Sequence, residues 1–325
     1  MTSKEGKQRV LVTRHIPYLQ EKLAQDSSIE VDMCEPSSTT MPREEMLSRI
    51  AGCTGLVCTA GDKVDVALLD SAGKSLRVVS TISAGFDHVD LALCRERGIH
   101  VGNTPGCLQE TTAELAVALT FAAKRRLFES HRGALAGEWG ASKFLQFCGS
   151  DVSRNTVGII GLGEIGLSYA RFMKNGFQCR ILYTGPREKP NDIGAEFVDL
   201  PTLLRLSDIV SIHAPLNAAT TKLLNSACFA QMQKHAVLVN TARGGIVDQD
   251  ALIHALSTSQ IAAAGLDVTD PEPLPVDHIL HSLPNCIVLP HIGSATVKTR
   301  HKMVDRALEN LVAGLHGQSL PYPVA

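Results

Sequence analysis

Short runs of β-branched residues alternate with helix-patterned stretches along nearly the whole chain, and that alternation admits few folds. The first set of strand-like runs covers 9–13, 29–33, 55–59, 77–82 and 100–102. The second covers 156–161, 179–184, 209–213, 236–240, 262–267 and 287–289. Helical patterns separate them, at 42–50, 89–97 and 111–124 among others, and a last one runs over 296–315. Pro42 suits a first helical position. Strand–helix–strand order calls for parallel pairing, because a crossover helix returns the chain to the same edge of the sheet. The fold class is therefore α/β, with doubly wound parallel sheets. At 325 residues the chain is too long for one small core, so two domains are expected. The reading is a nested arrangement, with residues 106–287 inserted between 1–105 and 288–325. The stretch 125–149 holds the only tryptophan, Trp139, shows little periodicity, and reads as an excursion from the compact body.

One turn carries a more specific signal. Gly161-Leu162-Gly163-Glu164-Ile165-Gly166 follows the strand-like run Thr156-Val157-Gly158-Ile159-Ile160 and opens a helical pattern. In that setting the spacing fits a dinucleotide. Gly161 allows the tight turn, Gly163 lets backbone approach a pyrophosphate, and Gly166 lets helix and strand pack closely. The helix N-terminus adds unpaired N–H groups and positive potential. Glu164 sets a negative charge at the same place.

The tip of the next strand bears on which nucleotide is bound. An NAD site usually ends that strand with an acid on the ribose 2′-hydroxyl. Here the tip is Thr184-Gly185-Pro186-Arg187-Glu188-Lys189, with no acid at the end itself. Arg187 and Lys189 suit a 2′-phosphate, and Thr184 can hydrogen-bond it. The expected cofactor is NADPH, with NADH possible.

Three polar residues each follow the end of an apolar strand-like run: Arg243, Glu272 and His291. Strand C-termini of an open parallel sheet line one crevice, where ligands bind. Carbonyl reduction needs a hydride donor, a proton for the oxygen, and a cation for the developing charge. His291 suits the proton role, a carboxylate at Glu272 would favour the imidazolium and orient it, and Arg243 would grip and polarise an α-keto acid. Asp267, also at a strand end, is placed to accept from the nicotinamide carboxamide. Ser83-Ala84-Gly85-Phe86-Asp87-His88, after the run 77–82, reads either as an anion-binding nest or as a plain tight turn.

Composition excludes other classes. A formal net charge of −2 gives no global electrostatic case for nucleic acid. The cysteines, at 34, 53, 58, 94, 107, 148, 179, 228 and 286, number nine and form no C-x-x-C, which argues against a disulfide framework and a zinc ribbon. No metal site is expected. The polar start lacks an apolar signal core, and no apolar run of about 18 residues exists. The expectation is a cytoplasmic protein with no membrane span.

With these residues in place the chain resembles the D-isomer-specific 2-hydroxyacid dehydrogenases. The match runs through Thr81–His88, Thr112-Ala113-Glu114-Leu115-Ala116, the glycine turn, Asn240-Thr241-Ala242-Arg243-Gly244, Gly265-Leu266-Asp267-Val268, Pro271-Glu272-Pro273-Leu274-Pro275 and Pro290-His291-Ile292-Gly293-Ser294-Ala295-Thr296. Within the family it is most similar to the branch that reduces glyoxylate and hydroxypyruvate. The resemblance implies a Rossmann cofactor domain nested within a flavodoxin-like substrate domain. It implies catalytic roles for Arg243, Glu272 and His291. It implies substrate contacts from Ala84, Gly85, Arg243, His291 and Ser294. It implies cofactor contacts from Gly161, Gly163, Glu164, Ile165, Gly166, Thr184, Gly185, Arg187, Thr241, Asp267 and Gly293. It also implies a homodimer, with the excursion reaching the partner. The chain departs from the family at three places: Glu164 where Arg is common, Pro186 where NADPH-using relatives carry Arg, and Ser142 where near relatives carry a second Trp. The alternatives are an NAD-dependent D-lactate or 3-phosphoglycerate dehydrogenase, and a non-enzymatic nucleotide-sensing corepressor.

Overall fold

A computed structural model describes residues 7–35, 40–140 and 144–324. The chain divides into two compact units, Met1–Leu108 with Thr296–Ala325, and Gln109–Ala295.

The first unit is built on strands β1 (Gln8–Val12), β2 (Ile29–Met33), β3 (Gly55–Cys58), β4 (Val78–Thr81) and β5 (His100–Gly102). All pair in parallel, in the order β2-β1-β3-β4-β5. That is the flavodoxin-like order. Every residue of β3 and β4 is buried, as expected of strands covered on both faces. The helix Val297–Leu315 lies on β3, β4 and β5. It sits close because glycines meet it: a Cβ at Gly102 would come within 2.5 Å of Asn310, and one at Gly55 within 2.8 Å of Leu311. Asn310, fully buried, donates to the Asn103 carbonyl at 3.0 Å and accepts from Tyr322 N at 2.9 Å. Pro42 caps the helix Arg43–Arg49 rather than opening it, since its ψ of 148° is extended.

The second unit carries seven parallel strands: β6 (Thr156–Ile160), β7 (Arg180–Thr184), β8 (Glu196–Phe197), β9 (Ile209–Ile212), β10 (Val237–Asn240), β11 (Ala263–Leu266) and β12 (Cys286–Val288). Their order is β12-β11-β10-β9-β6-β7-β8. Counted within the unit this is 7-6-5-4-1-2-3, the Rossmann order, which reverses direction between β6 and β9. The fold is thus two doubly wound parallel-sheet bodies. Strand β8 has only two residues, both exposed, and so gives no apolar signal in the sequence.

The helices Gln109–Lys124 and Glu164–Phe177 pack together beneath the sheet, and Tyr169 OH and Thr120 Oγ1 share a hydrogen bond of 2.8 Å inside that contact. The stretch 125–149 is not without structure: it contains the helix Leu127–Leu135. Arg126, at φ 52°, turns the chain out of the preceding helix. The new helix has only Gly133 buried, while Leu127, Phe128 and Leu135 face outward, so it shows no core-facing stripe. Seven of the nine cysteines are buried, in keeping with their reading as small apolar residues. Among the described residues, no helix is long and apolar enough to cross a membrane.

Candidate active site

The site is built at the C-terminal ends of β10, β11 and β12, which are neighbours in the sheet. Asn240, 1% exposed, ends β10. Its Nδ2 donates to the Arg243 carbonyl at 2.8 Å and its Oδ1 accepts from Ala242 N at 3.0 Å, which folds the loop back on the strand. Arg243 is held in part through its own Nη1, which donates to the Ala242 carbonyl at 2.8 Å. The next residue must be glycine, because a Cβ at Gly244 would lie 2.0 Å from the Thr269 backbone. The loops after β10 and β11 therefore touch directly. After β11, Thr269 Oγ1 donates to the Pro271 carbonyl at 2.8 Å and braces the segment that presents Glu272.

His291 follows β12 with a left-handed φ of 53°. A non-glycine residue holds that conformation only where its surroundings dictate it. The cause is Asp267, 1% exposed at the end of β11. Its carbonyl accepts from His291 N at 3.0 Å, its Oδ1 from Ile292 N at 2.7 Å, and its Oδ2 from Gly293 N at 2.7 Å. Three successive N–H groups thus wrap one aspartate. Burial pushes the Asp267 carboxyl up from its usual range, opposed by those backbone donors and by the charge of His291. A Cβ at Gly293 would press on Asp267 Oδ2 at 3.0 Å, so a larger residue there would have to push this carboxylate aside.

The arrangement aims the imidazole at Glu272. His291 Nδ1 lies 3.1 Å from both Glu272 Oε1 and Oε2. An ionised carboxylate only accepts, so Nδ1–H donates and Nε2 is the nitrogen left for a reacting group. Both side chains are partly exposed, at 36% and 40%, which leaves the ring reachable.

The glycine turn lies across the same edge, between β6 and the helix Glu164–Phe177. Gly161 has φ 95°, and a Cβ there would meet Ala214 N at 2.8 Å; one at Gly166 would meet the Gly161 carbonyl at 2.3 Å. These two glycines have reasons inside the chain. Gly163 has none: nothing lies within 4 Å of its would-be Cβ. Bare backbone there, beside the unpaired first-turn N–H groups of the helix, fits a pyrophosphate. Thr241 Oγ1, after β10, is buried with no partner, as expected of a group awaiting a ligand. The residues present therefore fit a nicotinamide dinucleotide. Exposed Glu164 opens the helix, and Ile165 follows it on the first turn.

The tip of β7 is closed by a device that no motif announces. Tyr183 OH accepts from Lys189 N at 2.8 Å and donates to the Lys189 carbonyl at 3.0 Å, looping out Thr184 to Glu188. Lys189 Nζ then donates to the Leu162 carbonyl at 3.2 Å, so this cation is tied to the glycine turn. Gly185 and Arg187 stand exposed on the loop. His213, after β9, also escapes motif reading. Its Nε2 pairs with Ser211 Oγ at 2.9 Å, and its Cβ would be 3.3 Å from a Cβ at Gly166. A lone histidine after a strand has no signature that betrays such a wedge.

In the first unit, Ala84 and Gly85 sit on the loop after β4. Asn103 Nδ2 donates to the Ala84 carbonyl at 2.7 Å, and Ser83 Oγ donates to the Gly85 carbonyl. Among the described residues no acceptor pairs with the N–H of Ala84 or Gly85. The carbonyls are spoken for and the donors are left over, which is the polarity a carboxylate requires. Ser294 lies between Gly293 and the Ala295 N–H bonded to the Ile292 carbonyl at 2.8 Å. Ser142 lies outside the described residues.

Comparison with known proteins decides the family. The sequence model of the D-isomer specific 2-hydroxyacid dehydrogenase, NAD binding domain, matches residues 117–293. The chain belongs to this family. A glyoxylate reductase/hydroxypyruvate reductase from Homo sapiens is 45% identical over 317 residues, 96% of each chain. Among solved structures, the TT0316 protein of Thermus thermophilus is similar with a TM-score of 0.90 at 42% identity, covering 98% of this chain and 100% of that one. An NADPH-dependent glyoxylate/hydroxypyruvate reductase of Sinorhizobium meliloti, in complex with NADP and malonate, is similar with a TM-score of 0.84 at 32% identity, covering 98% of this chain and 97% of that one. The protein is an oxidoreductase of the 2-hydroxyacid dehydrogenase type.

Proposed function

We propose that this protein reduces small 2-keto acids, glyoxylate to glycolate and hydroxypyruvate to D-glycerate, using NADPH and less readily NADH. The observation that carries the reading is the His291–Glu272 pair, with both carboxylate oxygens 3.1 Å from Nδ1, beside a glycine turn shaped for a dinucleotide. Relatives named for these two substrates, at 45% and 32% identity, support the choice of acid and of nucleotide.

When bound, the nicotinamide supplies the hydride that reduces the carbonyl carbon. The chain does the rest. His291 Nε2–H gives a proton to the carbonyl oxygen as charge builds there, and Glu272 steadies the imidazolium before the transfer. Arg243 binds the substrate carboxylate and polarises the adjoining carbonyl. Asp267 fixes the loop that carries His291. We also read the protein as a cytoplasmic homodimer. Leu135, Trp139, Phe144 and Leu145, each at least 75% exposed, form the apolar surface that a second copy would cover.

The test is turnover of NADPH with glyoxylate and with hydroxypyruvate, followed as loss of reduced nicotinamide absorbance and repeated with NADH. Reduction of either acid, faster at low nucleotide with NADPH, is the expected result. No turnover with any 2-keto acid would leave a nucleotide-binding protein without this chemistry.

A further inference from the structure

The loop at the tip of β7 is bound at both ends to the glycine turn. At its start the Thr184 carbonyl accepts from Gly161 N at 3.0 Å. At its far end Lys189 Nζ donates to the carbonyl of Leu162, the next residue of the turn, at 3.2 Å. Tyr183 joins the two ends to each other: its hydroxyl accepts from Lys189 N at 2.8 Å and donates to the Lys189 carbonyl at 3.0 Å. The span between, Thr184 to Glu188, is therefore a closed ring built on the turn, with Arg187 exposed on its rim. Beyond Lys189 the chain is held again. Asn191 Oδ1 accepts from Ala195 N at 2.8 Å, and Arg171, on the helix Glu164–Phe177, donates to both oxygens of Asp192 at 3.0 and 3.1 Å.

Tyr183 is 1% exposed, and its ring packs against Phe197 with centroids 5.3 Å apart. A buried phenol needs one partner. This one takes both backbone polar groups of a single residue, six positions along the chain. Its only proton is spent on that carbonyl, so it has none to donate to a ligand. The hydroxyl therefore acts on the chain rather than on a nucleotide, and what it does is remove freedom. A loop left open would be ordered only on binding, at a cost in backbone entropy, and a span held beforehand avoids that cost. The advantage exists only for a ligand that uses the rim. NADPH carries a 2′-phosphate that Arg187 can meet, whereas NADH carries a hydroxyl there and gains little.

We propose that Tyr183 is a positioning residue for nucleotide choice, which holds the span Thr184 to Glu188 in the shape that presents Arg187 to a 2′-phosphate. The proposal rests on the NADPH reading given above, and assigns its selectivity to a hydroxyl that touches no nucleotide. Tyr183→Phe keeps the ring on Phe197 and frees only the N–H and carbonyl of exposed Lys189, which water can satisfy. The fold is then kept while the span loosens.

Titration of the full chain with NADPH and with NADH, followed by nicotinamide fluorescence, tests it. Wild-type protein should bind NADPH more tightly. Tyr183→Phe should weaken NADPH about tenfold, the scale of a lost hydrogen-bonded clasp, and NADH by less than about twofold. With hydroxypyruvate as substrate, KM for NADPH should rise by the same factor at unchanged kcat, a split that general loss of structure would not give. In an Arg187→Ala background Tyr183→Phe should have no further effect, because the two act through one contact. Lys189→Met keeps the clasp and cuts the tie to Leu162, so it should weaken both nucleotides alike. A preference for NADPH that survives Tyr183→Phe overturns the proposal and leaves the NADPH reading intact. So do additive effects in the double variant. A preference lost in Lys189→Met but kept in Tyr183→Phe puts discrimination on the lysine charge, and overturns it too. Wild-type protein that binds both nucleotides alike fails the NADPH reading and takes the proposal with it. Should Tyr183→Phe fold poorly, amide exchange of the wild type decides: a Lys189 N–H as slow as those of β7 supports the clasp, and exchange at the rate of Arg187 overturns it.

Discussion

His291 shows how much a single residue depends on its neighbours. Its left-handed backbone is imposed by Asp267, and its ring is aimed by Glu272. If this histidine is the proton donor, His291→Ala should lower kcat by roughly 10²–10⁴-fold, the usual scale of general-acid catalysis. Steady-state kinetics with hydroxypyruvate would check it, and a near-normal kcat would remove His291 from the role. The placement of the three polar residues was readable in the sequence, because each follows a strand whose end is fixed by an apolar run. What brings them together was not. Asn240 folding back on its own loop, Gly244 against Thr269, and the three N–H groups around Asp267 are contacts between strands, and no spacing along the chain announces them.

At the scale of an element, the proposed preference for NADPH rests on the loop after β7. Its two cations are not equivalent. Lys189 is tied to the Leu162 carbonyl and steadies the glycine turn, whichever nucleotide binds, while Arg187 stands on the exposed part of the loop. Arg187→Ala should therefore raise KM for NADPH by about tenfold or more, the worth of one charge-assisted hydrogen bond, and barely change KM for NADH. Equal effects on both would undo the 2′-phosphate assignment. Most strands were legible to within a residue or two, because parallel strands buried on both faces read as unbroken apolar runs. The exceptions share a cause. Strand β8 and the helix Leu127–Leu135 face outward, so burial leaves no pattern in either.

For the molecule as a whole, one buried ring links stability to acidity. His213 is partly exposed at its edge, but its Nδ1 is sealed from water without a partner, and burial pushes the ring down to about 3 from an ordinary 6.5. Between those values the unfolded chain holds the extra proton, so stability is present above about pH 6.5 and is lost as pH falls toward 3. Denaturant melts at pH 7 and pH 5 should show His213→Gln losing less stability than wild type, by about 1–2 kcal/mol. Parallel losses in both proteins would dismiss this histidine as the source. The order of the sheet strands has a different consequence, for the ribosome rather than for the test tube. The helix Val297–Leu315, which covers β3, β4 and β5, is translated only after all of Gln109–Ala295. A nascent chain must therefore hold an unfinished, half-clad first sheet while an entire second body emerges and matures, and the first-made part of the protein is the last to be completed.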